Sequence, residues 1–184
     1  MKVSESNLEG LLLIELDRFE DDRGYFMETW QKERYRQLGI REEFVQDNLS
    51  YSTHSVLRGL HYQYPHGQGK LVYVAQGEVF DVAVDIRRGS PTFGKYEGYY
   101  LSAENRRQLY IPEGFAHGFC VTGSHALFAY KCTEYYNVKA DKGIRWDDSS
   151  LNIKWPIAEP VLSGKDKEMP GLADIQEIDL PKLY

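Results

Sequence analysis

In the run Arg58-Gly-Leu-His-Tyr-Gln63, strand alternation sets His61 and Gln63 on one face, with Gly59 removing side-chain bulk beside the imidazole. A neutral imidazole accepts a proton near physiological pH, so His61 is a candidate general base. Lys70 opens the next strand after the turn from Pro65 to Gly69, and its ammonium could answer negative charge developing on an oxygen. Plainer roles stay open to both: a hydrogen-bonded core or surface histidine, and a lysine that keeps a strand edge soluble. Tyr130 shares a face with Ala126, Phe128 and Cys132 in the alternation from His125 to Cys132. A phenol there is either a packed core residue or a proton donor in an apolar cavity. Spacing alone does not set Tyr130 opposite His61.

His61, His66 and His117 together raise the alternative of a facial metal set on a β scaffold. The close His-x-His pair is absent, because Gln63 stands at the second ligand spacing, and no bound metal is expected. Arg23, Arg58, Arg87, Arg88, Arg106 and Arg107 are scattered near strand ends and turns. Each reads as a solvated ion-pair residue, while an enclosed pair would hold a diphosphate through directional hydrogen bonds. Neither a Gly-x-x-x-x-Gly-Lys-Ser/Thr phosphate loop nor a dinucleotide fingerprint occurs, so any nucleotide must be held by dispersed residues.

Such residues need a scaffold, and the period of the chain is mostly two. From Val79 to Ile86, Phe80, Val82, Val84 and Ile86 share one face and Asp81, Ala83 and Asp85 the other. Further strands are expected over Gly10 to Leu16, Ser55 to Gln63, Lys70 to Val74, Phe93 to Leu101, Arg107 to Ile111, Gly118 to Val121 and His125 to Thr133. Turns at Gln76-Gly77, Arg88-Gly-Ser-Pro91, Pro112-Glu-Gly114 and Thr122-Gly-Ser124 divide them. One short helix is expected where Met27, Trp30, Arg34 or Tyr35, and Leu38 recur at helical spacing, with Gly39 as its stop. Many short strands with few helices predict an all-β sandwich or barrel, wrapped by the irregular chain after Gly143.

The chain has 184 residues, 42% hydrophobic and 27% charged, which excludes a wholly disordered or collagen-like protein and predicts one domain over residues 1–184. A net charge of -6 argues against nucleic acid as partner. Cys120 and Cys132 are the only cysteines, too few for a disulfide framework. The start, Met1-Lys-Val-Ser-Glu5, turns polar before any long apolar run, and no stretch nears the roughly 20 apolar residues of a membrane span. A cytoplasmic protein without a membrane partner is expected.

Several ordered motifs resemble the dTDP-4-dehydrorhamnose 3,5-epimerase family over nearly the whole chain. They are Asp22-Arg-Gly-Tyr-Phe26, Phe44-Val-Gln-Asp-Asn48, Val56-Leu-Arg-Gly-Leu-His-Tyr-Gln63, Gly69-Lys70, Gly77-Glu-Val-Phe-Asp-Val-Ala-Val-Asp85, Gly89-Ser-Pro-Thr-Phe-Gly94, Ile111-Pro-Glu-Gly-Phe-Ala-His-Gly-Phe119, Tyr130-Lys-Cys-Thr-Glu-Tyr135 and Gly143-Ile-Arg-Trp-Asp147. The resemblance implies a cupin-like double-stranded β-helix, or jelly roll, assembled as a homodimer with exchanged strands. It implies conversion of dTDP-4-dehydro-6-deoxy-α-D-glucose to dTDP-4-dehydro-β-L-rhamnose without a cofactor. His61 matches the general base, Asp166 the carboxylate that orients it, Tyr130 the opposing acid and Lys70 the cation near the C4 oxygen. Arg23, Arg58 and His117 resemble polar or diphosphate contacts, and Phe26, Glu28, Gln46, Asn48 and Tyr136 parts of the nucleotide and sugar pocket. The chain departs from the family at Asp141, at His54-Ser55 and at Leu49-Ser-Tyr51, so an epimerase restricted to C5 or C3 is an alternative, and a noncatalytic sugar-binding β domain is another.

Overall fold

A computed structural model describes residues 1–183. Its elements are β1 (Lys2–Glu5), β2 (Leu12–Glu15), β3 (Phe19–Asp21), β4 (Gly24–Phe26), α1 (Lys32–Gln37), β5 (Gln46–Thr53), β6 (Leu57–Gln63), β7 (Lys70–Asp85), β8 (Tyr96–Ser102), β9 (Arg107–Ile111), β10 (Phe115–Cys132), β11 (Asp141–Gly143) and α2 (Gly164–Lys167). Among the described residues, nine strands pair in one antiparallel sheet, while β3 and β4 form a separate hairpin.

Gly89 and Gly114 fall between strands as expected, but Gly77 and Gly123, also expected to divide strands, lie inside them. β7 runs through Gln76-Gly77 and β10 through Thr122-Gly-Ser124, with the β10–β7 register shifting between Val121 and Ala126. Local sequence marks a break in regular pairing, and a bulge satisfies that mark as well as a turn does. Each long strand therefore bends and changes partner. β7 pairs β9 through residues 70–73 and β8 through residues 78–84, while β10 pairs β6 near residues 117–120 and β5 over residues 125–132.

This branching overturns the expected jelly roll. The central path runs β1-β2-β9-β7-β10-β6-β11, and no pairing joins its two ends among the described residues, so the sheet is open rather than closed into a barrel. The predominance of antiparallel strands stands, together with a short helix near the amino terminus.

Gly77 permits the bend in β7. It sits at φ +79°, and a Cβ there would stand 1.8 Å from the His125 carbonyl oxygen on β10. Gly77→Ala should therefore cost about 3 kcal/mol or more through left-handed strain and forced separation of the strands, lowering Tm by roughly 10 °C. A thermal melt checks this; an unchanged Tm would show that the bend tolerates a side chain.

Both faces of β7 are covered. Val82, Val84 and Ile86 join Leu60, Ile144, Leu172 and Leu180 on one side, so the chain after Gly143 packs into the core; Val79 and Ala83 join Leu109, Phe119 and Phe128 on the other. The aspartates expected on the opposite face, Asp81 and Asp85, are consequently wholly buried. Asp85 accepts hydrogen bonds from Arg87, Ser90 and Thr92. A third cluster seats α1: Tyr35 packs with Ile14, Ile40 and Tyr110, and Trp30 lies 4.5 Å from the Tyr35 ring and 4.7 Å from Phe44. Gln31 caps this helix by accepting the Arg34 amide hydrogen, and Gly39 follows the C-cap at Leu38 as expected.

Candidate functional site

Strand parity gathers the chemistry-bearing side chains. On β10, Tyr130 lies opposite Asn48 of β5 and Val72 of β7, and Cys132 lies opposite Gln46 and Lys70. Residues two apart share a face, so Gln46, Asn48, Lys70, Tyr130 and Cys132 form one patch. His61 on β6 stands opposite His117 on β10.

Gly59 has a different role from the one its position beside His61 implied. A Cβ there would meet the Gly118 Cα at 2.5 Å and the His117 carbonyl oxygen at 2.7 Å, so its bareness serves the close approach of β6 to β10. That approach falls where their register shifts between His117 and Phe119.

A cavity of about 430 Å³ opens on this patch, lined by Arg58, His61, Lys70, His117, Tyr130 and Asp166 among others. A second lobe of about 330 Å³ shares His61, Lys70, Tyr130 and Lys165 with the first and adds Gln46, Asn48, Tyr136 and Asp141.

His61 Nε2 lies 2.5 Å from Asp166 Oδ1, across 105 residues of sequence. The His61 side chain is 32% exposed and that of Asp166 only 4%, so a ligand can reach the imidazole while the carboxylate stays sealed behind it. The chain before α2 is stitched to β6: the Leu57 amide donates to the Val161 carbonyl, and the Val161 amide to that of Ser55. Ser163 Oγ then accepts the Asp166 amide at 3.0 Å, fixing the short turn that aims the carboxylate. Burial pushes the Asp166 carboxyl up, but its hydrogen bond and charge interaction with His61, with help from Ser163 and Lys165, hold it below the usual carboxylate range.

Burial also raises the Tyr130 phenol, reinforced by Cys132 and opposed by Arg58, so it remains protonated well above neutral pH. Lys70 has no carboxylate within ion-pair distance among the described residues. Desolvation draws its ammonium down from the ordinary lysine value, while Cys132, Asp81 and Asp141 favour the charged form.

The remaining expected residues divide. Gln46 and Asn48 bond each other at 3.0 Å in the second lobe, and the Tyr136 hydroxyl donates to Asp141 at 2.8 Å. Arg58 reaches across to Ser52 on β5 at 3.0 Å. Arg23, Phe26 and Glu28 are not brought into the cavity of this chain: Arg23 pairs with Asp21 on the β3–β4 hairpin, Phe26 is 69% exposed, and Glu28 pairs with Arg34. Among the departures, Leu49 and Tyr51 occupy the outward phase of β5, where Tyr51 stacks on His125. His54 bonds the Gly123 carbonyl.

Sequence reasoning missed Lys165 and Asp81. Lys165 binds Asp141 and lines both lobes; its signal was its place beside Asp166. Asp81 was readable only as a carboxylate within an apolar strand. Cys120 and Cys132 are both buried free thiols, and no three His, Cys, Asp or Glu side chains gather as a metal-ligand group among the described residues.

A family model described as dTDP-4-dehydrorhamnose 3,5-epimerase matches residues 5–174. The chain belongs to this family. A dTDP-4-dehydrorhamnose 3,5-epimerase of Shigella flexneri is 54% identical over 168 residues, covering 90% of this chain and 93% of that one. A crystal structure of the Legionella pneumophila enzyme, solved in complex with dTDP-4-keto-L-rhamnose, is 50% identical and superposes with a TM-score of 0.97 over 100% of this chain and 98% of that one. A dTDP-4-dehydrorhamnose 3-epimerase of Streptomyces niveus is 36% identical, covering 100% of this chain and 90% of that one. This chain is thus an enzyme, a dTDP-sugar isomerase whose reaction is the 3,5-epimerisation of dTDP-L-rhamnose biosynthesis.

Proposed function

We propose that the cavity takes dTDP-4-dehydro-6-deoxy-α-D-glucose and that His61, Asp166, Lys70 and Tyr130 carry its conversion to dTDP-4-dehydro-β-L-rhamnose. The observation that carries this reading is the His61–Asp166 pair in one cavity with an unpaired lysine and a protonated phenol. The nitrogen facing a carboxylate bears the hydrogen, so Nε2–H of His61 donates to Asp166 and Nδ1 is the basic atom. The C4 carbonyl acidifies the hydrogens on C3 and C5. Nδ1 takes one of these protons, the C–H electron pair moves into an enolate, and Lys70 answers the charge on the C4 oxygen. Tyr130 gives a proton to the opposite face and the carbon inverts; His61 then releases its proton to solvent and the Tyr130 phenolate takes one up, which resets both groups for the second carbon. The carbonyl serves as electron sink, so the step calls for no redox cofactor.

Arg58 is suited to the diphosphate, with Gln46, Asn48 and Tyr136 around the nucleotide and sugar. In this reading Arg23, Phe26 and Glu28 act from a second copy of the chain in a homodimer. The β3–β4 hairpin supports this, because it leaves Phe19, Tyr25 and Phe26 in water, an apolar surface that a partner's cavity rim would cover. Light scattering at low concentration should report about twice the chain mass; a stable, active single chain would overturn the dimer. We read the enzyme as cytoplasmic, working on a free nucleotide sugar with neither nucleic acid nor membrane as partner; no helix among the described residues is long and apolar enough to cross a membrane.

Incubation with the dTDP-4-keto sugar in deuterated solvent tests the chemistry. Deuterium should enter at both C3 and C5, with inversion at each. Entry at one position only would replace this reading with a restricted epimerase, and binding without entry would leave a sugar-binding domain.

A further inference from the structure

Asp81 on β7 is fully buried, and the one side chain hydrogen-bonded to it among the described residues is His117, whose Nε2 lies 2.9 and 3.0 Å from its two oxygens. A carboxylate taken wholly out of water is costly unless a strong donor answers it. None of the roles above uses it. His117 is also buried; its ring stacks on Phe128 with centroids 6.2 Å apart, and it lines the larger lobe beside His61.

The ring nitrogen facing two carboxylate oxygens must carry the hydrogen, so Nε2–H donates to Asp81 and Nδ1 keeps its lone pair. We propose that Asp81 is a positioning residue that locks His117 in this tautomer, so that Nδ1 accepts a hydrogen bond from a hydroxyl of the substrate sugar rather than touching the diphosphate. The inference rests on the reading that a dTDP-4-keto sugar fills the cavity. A bare lone pair is repelled by a phosphate oxygen and satisfied by a hydroxyl donor. Strand register supports the sugar as the neighbour, because His117 stands directly opposite His61, the group assigned to the reacting carbons.

The surroundings favour the neutral ring on which the lone pair depends. Burial draws the His117 pKa below the ordinary histidine value, and the positive charge of Lys70 acts in the same direction; Asp81 opposes them. Asp81 and Lys70 come from β7 and His61 from β6, the two strands that pair with β10 around His117.

The test uses the full-length protein labelled with 15N-histidine, together with Asp81→Asn and His117→Phe. Long-range proton–nitrogen correlation in the wild type should show His117 protonated at Nε2 and bare at Nδ1, and Asp81→Asn should mix the two tautomers. Calorimetry with dTDP and with a stable dTDP-linked 6-deoxy sugar should show both variants binding the sugar conjugate about ten-fold more weakly while dTDP affinity is unchanged. A wild-type ring protonated at Nδ1, an unaltered tautomer in Asp81→Asn, or equal losses for dTDP and the conjugate would overturn the proposal. Should Asp81→Asn fail to fold, the wild-type spectrum and His117→Phe still decide it. If the wild type bound neither nucleotide, the reading of the cavity would fail, while the tautomer would still be read from the spectrum.

Discussion

Deuterium entry at both C3 and C5 should fall by about 10²- to 10⁴-fold in His61→Asn, the range lost when a positioned general base is removed. Both positions should fall together, since in the proposed reaction one basic nitrogen serves both carbons in turn within the same cavity. Asparagine keeps a polar group beside Asp166 but presents no basic nitrogen, so Tm and dTDP affinity should stay near the wild-type values. Mass and NMR analysis of the recovered sugar checks this. A folded variant with normal exchange at either carbon would remove His61 from that step.

Tyr130→Phe should separate exchange from inversion. The ring continues to pack against Phe128, whose centroid lies 6.0 Å away, while the hydroxyl proposed to return the proton is lost. His61 can still form the enolate and give the proton back to the face it came from. Deuterium should then enter with retained configuration, and doubly inverted product should drop by roughly 10²-fold or more. Turnover alone blends these outcomes, so the measurement is configuration at C3 and C5 together with isotope content. Efficient formation of the doubly inverted sugar would exclude Tyr130 as the required donor.

The parts of this architecture governed by neighbours in sequence were legible before the fold. Met27, Trp30, Arg34 or Tyr35, and Leu38 before Gly39 marked a helix that forms only over Lys32–Gln37, leaving Met27 and Trp30 ahead of it, while Arg107 to Ile111 is a strand at the bounds its alternation set. Gly77 and Gly123 were harder, because a residue that interrupts regular pairing can close a turn or bulge a continuing strand, and only the partner strand decides. The open, branched sheet follows from that decision, so it could not be read from local signals. His61, Lys70 and Tyr130 stood out by type and strand phase. Asp166 emerged only through the family resemblance, since nothing local joins residues 105 positions apart. The buried Asp81–His117 pair was hidden because alternation alone shows one face of β7 as polar without revealing that β10 and its neighbours cover it.

The distance along the chain between His61 and Asp166 also gives the protein a timetable. The ribosome delivers the imidazole long before the carboxylate that orients it: 105 residues, at about 5–20 residues per second, is roughly 5–20 s of synthesis. During that interval the chain can pair β6, β7 and β10, yet it lacks the turn that seats Asp166. The imidazole thus waits for its partner, and a chain stalled before residue 166 would carry a β core in which nothing hydrogen-bonds His61 as Asp166 does.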